Sequence, residues 1–387
     1  MSSRQARDTP VILRAKLARV MRAAILHDWL NQLGGAEEVL EVLHGMYPSA
    51  PILTSIYDRS RMPQAWQNWD IRSSWMDRLP AVHRRHQPSL PLFALAWGMR
   101  QTPPDADLIL SNKSGFCIGA RAGNTPHLCY CLAPSRYVFD LPAYAANESI
   151  PKPAMPVLGA LNIWLRRWER EAAQRVTQLV AISSEIQRRI KTYYGRDSVI
   201  IYPPVDVDKY WRKTAQPGGG VGDGFFLIVS RLLPYKRIDL AIQACNQLGL
   251  PLVIAGAGRD EARLRAMAGP TIKLLGRVSD ENLAELLNTC RAFIFPGLED
   301  FGIAPIHAMA CGKPVIAFAG GGSLDTVVPN TTGILFTEHK VESLAQAIQK
   351  FYDVTFAPDL IRGHAEQFSV PRFKRELTEV IAKACNM

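Results

Sequence analysis

The residues with the most chemistry to offer sit in two short loops of the C-terminal half. Glu299 lies in Gly297-Leu298-Glu299-Asp300-Phe301-Gly302, between the apolar run Ala292–Phe295 and a helix-like stretch that contains Pro305 and stops at Cys311-Gly312. Pro296-Gly297 breaks the run as a buried strand ends, Pro305 suits a first helical turn, and Gly312 caps the helix before a strand over 314–318. Ligands of parallel sheets bind at the carboxyl ends of strands. A carboxylate at such an end does not favour phosphate, but it accepts hydrogen bonds from sugar hydroxyls. Arg231 and, five residues on, Lys236 and Arg237 fall between a strand over 225–230 and a helix over 238–248. Two cations ahead of a helix N-terminus form a seat for a diphosphate, whose charge needs fixed counterions as it departs. Taken alone, the spacing also suits an ordinary βαβ unit with an acidic surface loop and a solvated basic one.

Two glycine clusters accompany these groups. Gly34-Gly35 falls where a strand over 21–27 gives way to a helical run, and Gly320-Gly321-Gly322 follows the strand over 314–318. Both leave backbone that phosphate or sugar can approach closely, although a plain tight turn explains Gly34-Gly35 equally well. Gly256-Ala257-Gly258 lacks the rest of a dinucleotide fingerprint. Two Asp-x-Asp pairs, Asp105 with Asp107 and Asp206 with Asp208, offer paired carboxylates of the kind that hold hard cations. The first precedes a strand and the second follows a double proline in an apparent linker, so neither reads as a metal site.

The elements that must position these loops alternate. Strands read at 21–27, 52–57, 108–111, 128–132, 179–183 and 199–202, with helical runs between several of them, and the pattern restarts at 225. This is α/β, doubly wound, and 387 residues suit two domains. The boundaries fall as a basic extension over 1–20, a first domain over 21–205, a second over 206–365 and a terminal helix over 366–387. Apolar residues make up 48% and charged ones 21%, the balance of a globular chain. The seven cysteines include no Cys-x-x-Cys pair, which points to reduced, buried thiols in a cytoplasmic protein. Cys129 and Cys131 alternate in a strand as core residues do. Net charge of +10 calls for an anionic partner, nucleotide, phospholipid or nucleic acid, and composition does not choose among them. No run approaches the roughly 18 apolar residues of a membrane-spanning helix. Residues 1–20 have five basic side chains but no apolar core, a poor secretory signal. Over 75–100, Arg78, His83, Arg84, Arg85 and His86 precede Leu90, Leu92, Phe93, Leu95 and Trp97. That mixture fits an anionic membrane surface, or a core helix behind a solvated loop.

The stretch GLEDFGIAPIHAMACGKPVIAF, with SRLLPYKRIDLAI and HDWLNQLGGAEEVL, resembles the family 4 glycosyltransferases, in particular the mannosyltransferase-like subgroup of surface-polysaccharide (exopolysaccharide) biosynthesis. The resemblance implies a GT-B fold, two Rossmann-like doubly wound domains facing across a cleft, the last helix crossing back to the first domain. It implies a retaining, metal-independent enzyme with no cofactor beyond its nucleotide-sugar co-substrate, GDP-mannose being favoured. The acceptor it implies is a polyprenyl-diphosphate-linked glycan, handled by a cytoplasmic protein peripheral to the inner face of the plasma membrane. Glu299 matches the acid that contacts the donor sugar, and Arg231 and Lys236 match the diphosphate loop. Gly34 and Gly35 match the loop that faces donor phosphates and acceptor. Gly321 and Gly322 belong to the donor side, Arg277 and Val278 fall in the base pocket, and Arg136, Tyr137 and Asp140 match the acceptor-side pattern unless they merely organise their loop.

Two positions depart from the pattern. A second acid, which in the family holds the ribose hydroxyls, is His307 here, and a histidine near the reacting sugar is Leu132, followed by Ala133. His307 still bonds hydroxyls through a ring nitrogen, whereas leucine makes no hydrogen bond. His127 lies at the other end of the strand. These losses sustain a second reading, a non-catalytic binding or scaffold protein on the same fold. A nicotinamide oxidoreductase suffers from the missing fingerprint, and no nucleic-acid motif occurs.

Overall fold

The computed structural model describes residues 21–80, 82–83, 89–147, 155–212 and 224–386. The basic extension, Arg84, Arg85 and His86, and the glycine-rich segment over 216–223 lie outside the described residues. Two compact units make up the chain. One takes the residues through Ile182 together with Ile186–Ile201 and the chain from Lys374 on, and the other takes Ser183–Glu185 and Tyr202–Phe373.

The first unit is built on seven strands, β1 (Ala23–His27), β2 (Ile52–Thr54), β3 (Ile71–Arg72), β4 (Leu108–Lys113), β5 (His127–Cys131), β6 (Gln178–Ala181) and β7 (Val199–Ile200). They pair in the order β3-β2-β1-β4-β5-β6-β7, every pair parallel. β1, β4 and β5 are buried at every residue, as parallel strands covered on both faces must be. Cys129 and Cys131 lie in this core, and all seven thiols are free. The helices that accompany the sheet include α1 (Gly35–Met46), α2 (Leu90–Met99), α3 (Arg136–Phe139), α4 (Leu141–Asn147), α5 (Met155–Gln174) and α6 (Ser184–Tyr194).

In the second unit β8 (Phe226–Val229), β9 (Leu252–Ala255), β10 (Ile272–Gly276), β11 (Ala292–Phe295), β12 (Val315–Phe318) and β13 (Gly333–Phe336) form a six-stranded sheet, β10-β9-β8-β11-β12-β13, again all parallel. Its helices are α7 (Ile238–Leu248), α8 (Glu261–Met267), α9 (Asp280–Thr289), α10 (Ile303–Ala310), α11 (Ser323–Thr326), α12 (Val341–Tyr352) and α13 (Pro358–Ala365), and α14 (Val370–Ala384) ends the chain. Ser279 caps α9, its hydroxyl accepting from the Asn282 amide, and Gly312 ends α10 with φ 72°, a backbone conformation that glycine adopts without strain. Ile228, Ile254, Ile272, Ile294, Ile316 and Ile334 bring one residue from each strand to a core closed by α7 and α12.

Both sheets reverse direction once. In the first the chain winds outward from β1 to one side and from β4 to the other, and in the second the same happens between β8 and β11. A crevice opens at such a reversal, outside the carboxyl ends of the two central strands. Those ends carry His27-Asp28 and Asn112-Lys113 in one unit and Ser230-Arg231 and Pro296-Gly297 in the other.

Candidate active site

At the β8/β11 reversal Lys236 and the acid come together. Lys236 ends a 3-10 turn, Pro234–Lys236, and its ammonium ion-pairs with Glu299, each side chain about one-sixth exposed. Ser230, Phe295, Pro296 and Gly297 line the cleft around the pair. Gly297 is small for a physical reason: a Cβ there would stand 3.0 Å from the Lys236 backbone. Arg231 is exposed beside this cleft, a guanidinium nitrogen 3.4 Å from the Tyr235 hydroxyl. Arg237 adopts φ 52° immediately before α7, a left-handed conformation uncommon for a side chain of this kind. The result is a half-buried ammonium and carboxylate in contact, with a second cation at the rim. Such a set neutralises a departing diphosphate and orients hydroxyls beside it.

The triple glycine differs from its expectation. A Cβ on Gly321 would lie 2.0 Å from the Glu299 carbonyl oxygen, and one on Gly322 would lie 2.2 Å from the Phe301 Cα. The Gly322 amide donates to the Glu299 carbonyl at 2.9 Å. Absent side chains therefore let the β12 loop lie directly against the Glu299 loop, fixing the backbone that carries the acid. Gly256 and Gly258 allow the same close packing against the loop after β8, since a Cβ on either would strike the carbonyl of Ser230 or Leu232. Arg277, exposed, and Val278, half-buried, follow β10 on the same carboxyl edge, and the Gly256 amide donates to the Gly276 carbonyl at 2.7 Å.

His307 sits on α10. Its ring meets Tyr210 edge to face at 4.9 Å, and its buried Nδ1 has no hydrogen-bond partner among the described residues. Burial pulls its pKa to about 4, with Lys209 nearby acting in the same direction, so the ring is neutral at pH 7. The segment before it is held by its own pairs: Lys209 with Asp280 at 3.2 Å and Asp208 with Arg362 at 2.7 Å. Arg362 thus occupies one carboxylate of the Asp206-x-Asp208 pair, and Arg22 pairs with both Asp105 and Asp107.

In the first unit Gly34 precedes and Gly35 begins α1, at the β1/β4 reversal. His27 Nε2 lies 3.2 Å from Glu37, His27 Nδ1 lies 3.2 Å from the Asn112 amide, and that amide donates to the Ala36 carbonyl at 2.7 Å. The Asp28 carboxylate accepts from the backbone amides of Ser114, Gly115 and Cys117. Buried polar groups that sequence reading passed over thus tie the glycine turn to the loop after β4. Leu132 is half-buried just past β5, and its amide donates to the Lys113 carbonyl at 2.8 Å. His127 stays in the core against Ser111 at 2.8 Å, its pKa pulled by burial to about 4. Arg136 and Asp140 are exposed, as acceptor contacts need to be. Tyr137 is drawn inward: its ring packs near Phe116 and Tyr144 and its hydroxyl is buried.

Residues 211–357 match the family described as Glycosyl transferases group 1. Those residues form a domain of the second unit that is similar to the group 1 glycosyl transferases. Arg231, Lys236, Glu299, His307 and the triple glycine all fall inside this domain. Over 210 residues, 48% of this chain, it is 30% identical to the GDP-mannose-dependent monoacylated alpha-(1-6)-phosphatidylinositol monomannoside mannosyltransferase of Corynebacterium glutamicum, covering 55% of that protein. Over 200 residues it is 29% identical to a GDP-mannose-dependent alpha-mannosyltransferase of Mycobacterium tuberculosis, covering 51% of this chain and 52% of the other. The chain thus spans about half the length of the curated relatives it matches. Anabaena HepE, solved in complex with UDP, superposes with a TM-score of 0.69 over 94% of this chain and 100% of its own, at 18% identity. The fold is GT-B, two Rossmann-like domains.

Proposed function

We propose that this protein is a retaining glycosyltransferase that moves mannose from GDP-mannose to a polyprenyl-diphosphate-linked glycan in surface-polysaccharide assembly. The observation that carries the reading is the Lys236–Glu299 pair at the β8/β11 reversal of a group 1 domain, with Arg231 at its rim. The names of the relatives support mannose and GDP. In the proposed reaction the bond from the sugar C1 to the diphosphate oxygen breaks, and a bond from C1 to the acceptor hydroxyl oxygen forms on the same face. The hydroxyl proton passes to the departing phosphate. Arg231 and Lys236 stabilise the diphosphate as its charge develops, which leaves no requirement for a metal ion. Glu299 accepts from the sugar hydroxyls and holds C1 in place, while the neutral His307 ring offers one nitrogen to the ribose. Arg277 and Val278 border the base.

A lipid-linked acceptor brings a membrane surface with it. Leu92, Leu95 and Met99 form an exposed stripe along one face of α2, and Trp75 and Arg78 are exposed before it, the mixture that adheres to anionic headgroups. Among the described residues no helix is long and apolar enough to cross a membrane. The proposed place of work is the cytoplasmic face of the plasma membrane.

Calorimetric titration with GDP, UDP, ADP and TDP, then with the corresponding sugar nucleotides, tests the reading. Selective binding of GDP and GDP-mannose is expected. Absence of binding at millimolar ligand would overturn it in favour of a non-catalytic scaffold.

A further inference from the structure

Helix α5 presents the first unit with an unusual face. At i, i+4 and i+7, where a helix against a core ordinarily shows apolar side chains, it carries Asn162, Arg166 and Glu169. All three reach the segment that follows β5. The Asn162 amide donates to the carbonyls of Tyr137 at 3.0 Å and Val138 at 2.8 Å, and Arg166 Nε donates to that of Val138 at 2.9 Å. Glu169 Oε1 accepts from the Ser135 amide at 3.1 Å and from the Tyr194 hydroxyl at 2.5 Å. From the other side Lys113, at the end of β4, meets Glu169 at 2.8 Å and donates to the Ala133 carbonyl at 2.9 Å and the Ser135 hydroxyl at 3.3 Å. The Lys113 and Glu169 side chains are wholly buried. Burial alone would lower the Lys113 pKa, and its surroundings, the adjoining Glu169 carboxylate foremost and Asp28 with it, together more than reverse this, so the lysine stays charged.

A fully buried ion pair is a poor way to gain stability, because desolvating two charges costs about as much as their attraction returns, and apolar residues of similar volume often do as well. What apolar residues cannot do is hydrogen-bond the amides and carbonyls of a loop and the unpaired carbonyls of a one-turn helix. Here four side chains converge on the backbone of residues 133–138. Arg136, within this stretch, and Asp140, two residues beyond it, are both exposed.

We propose that Lys113, Asn162, Arg166 and Glu169 are positioning residues that hold the 133–138 backbone, so that Arg136 and Asp140 meet the sugar acceptor on a prearranged surface. This rests on the glycosyltransferase reading above. None of the four touches the acceptor. They act through the segment, which confines their influence to acceptor recognition and leaves the nucleotide site, in the other unit, as it was.

The test compares wild type with Lys113→Met/Glu169→Gln, which removes both charges together, and with Asn162→Ala. Transfer from GDP-mannose to a farnesyl-diphosphate-linked disaccharide is followed by GDP release, alongside GDP calorimetry and amide hydrogen exchange. Both variants should raise the acceptor KM about tenfold or more with kcat changed far less, bind GDP as wild type does, and exchange the Val138, Phe139 and Asp140 amides at least tenfold faster. Strands β4 and β5 should keep their protection. If the double variant fails to fold, Asn162→Ala decides by the same criteria. A folded, active variant whose acceptor KM and amide exchange both stay within twofold of wild type overturns this inference alone. A wild-type protein that neither binds nucleotide nor transfers sugar overturns the functional reading, and the acceptor role with it.

Discussion

Gly321→Ala separates two uses of a glycine loop. If Gly321 serves only to let a ligand approach, alanine should weaken nucleotide binding and do little else beyond its backbone cost. The packing around it predicts more. Gly321 has φ 58°, where an L-residue costs roughly 1–2 kcal/mol. In addition its Cβ would stand 2.0 Å from the Glu299 carbonyl oxygen, against an ordinary contact that begins at 3.4 Å. Overpacking of this kind costs about 1–3 kcal/mol further, relieved only as one loop moves away from the other. Gly249 is the control within the same unit, with φ 66° and nothing within 4 Å of its would-be Cβ. Gly249→Ala should therefore bear the backbone cost alone. For a unit of this size each kcal/mol moves the melting temperature about 2–4 °C. Gly321→Ala should thus melt roughly 2–12 °C below Gly249→Ala in circular dichroism scans. Because the moving backbone carries Glu299, a displacement near 1 Å should also lower transfer about a hundredfold. Equal melting of the two variants would refute the claim that loop packing places Glu299. Equal melting with weaker nucleotide binding would restore the simpler ligand-approach account.

The charged residues of the same site give a sharper chemical test. Arg231→Ala removes an exposed side chain and should leave melting unchanged while lowering kcat about 10²–10³-fold, as loss of one transition-state donor does. Glu299→Ala should also slow transfer, and wild-type rates in both variants would sink the assignments. Acid stability follows from the two buried histidines. His127 and His307 both have folded pKa values near 4, below their ordinary 6.5, so the unfolded chain binds protons first and stability falls as pH drops from about 6.5 toward 4. Each contributes roughly 2–3 kcal/mol of that loss by pH 4.5. His127→Gln should shrink the fall in melting temperature between pH 7 and 4.5 by about 5–10 °C, and an unchanged fall would contradict the buried, neutral assignment.

Much of this protein is legible along the chain, because short-range physics writes it there. Runs such as Ala292–Phe295 and Leu252–Ala255 are strands buried on both faces, so continuous apolarity marks them, and Pro296, Ser279 and Gly312 mark where elements stop and start. Alternation of such runs with helical stretches determines a doubly wound architecture, and cations or acids just past a strand's end determine where ligands would meet it. Strand ends are less legible. The reading over 52–57 shortens to Ile52–Thr54, since the residues after Thr54 leave the sheet while staying largely buried, and burial alone does not distinguish the two.

What the sequence could not determine are the partnerships between residues far apart along it. Lys236 meets Glu299 only because parallel strands bring distant loops to one edge, and Lys113 meets Glu169 only because the fold lays α5 beside the end of β4. The triple glycine looks like an opening for ligand until the Glu299 carbonyl is found where its side chain would be. Tyr137 matches an acceptor-side pattern along the chain, and only the fold places its ring against Phe116 and Tyr144 with its hydroxyl buried. Residue type and spacing set which chemistry is available at each strand end. Only the tertiary contacts decide which groups face a ligand and which hold the backbone, because burial and hydrogen-bond geometry depend on neighbours that local sequence does not contain.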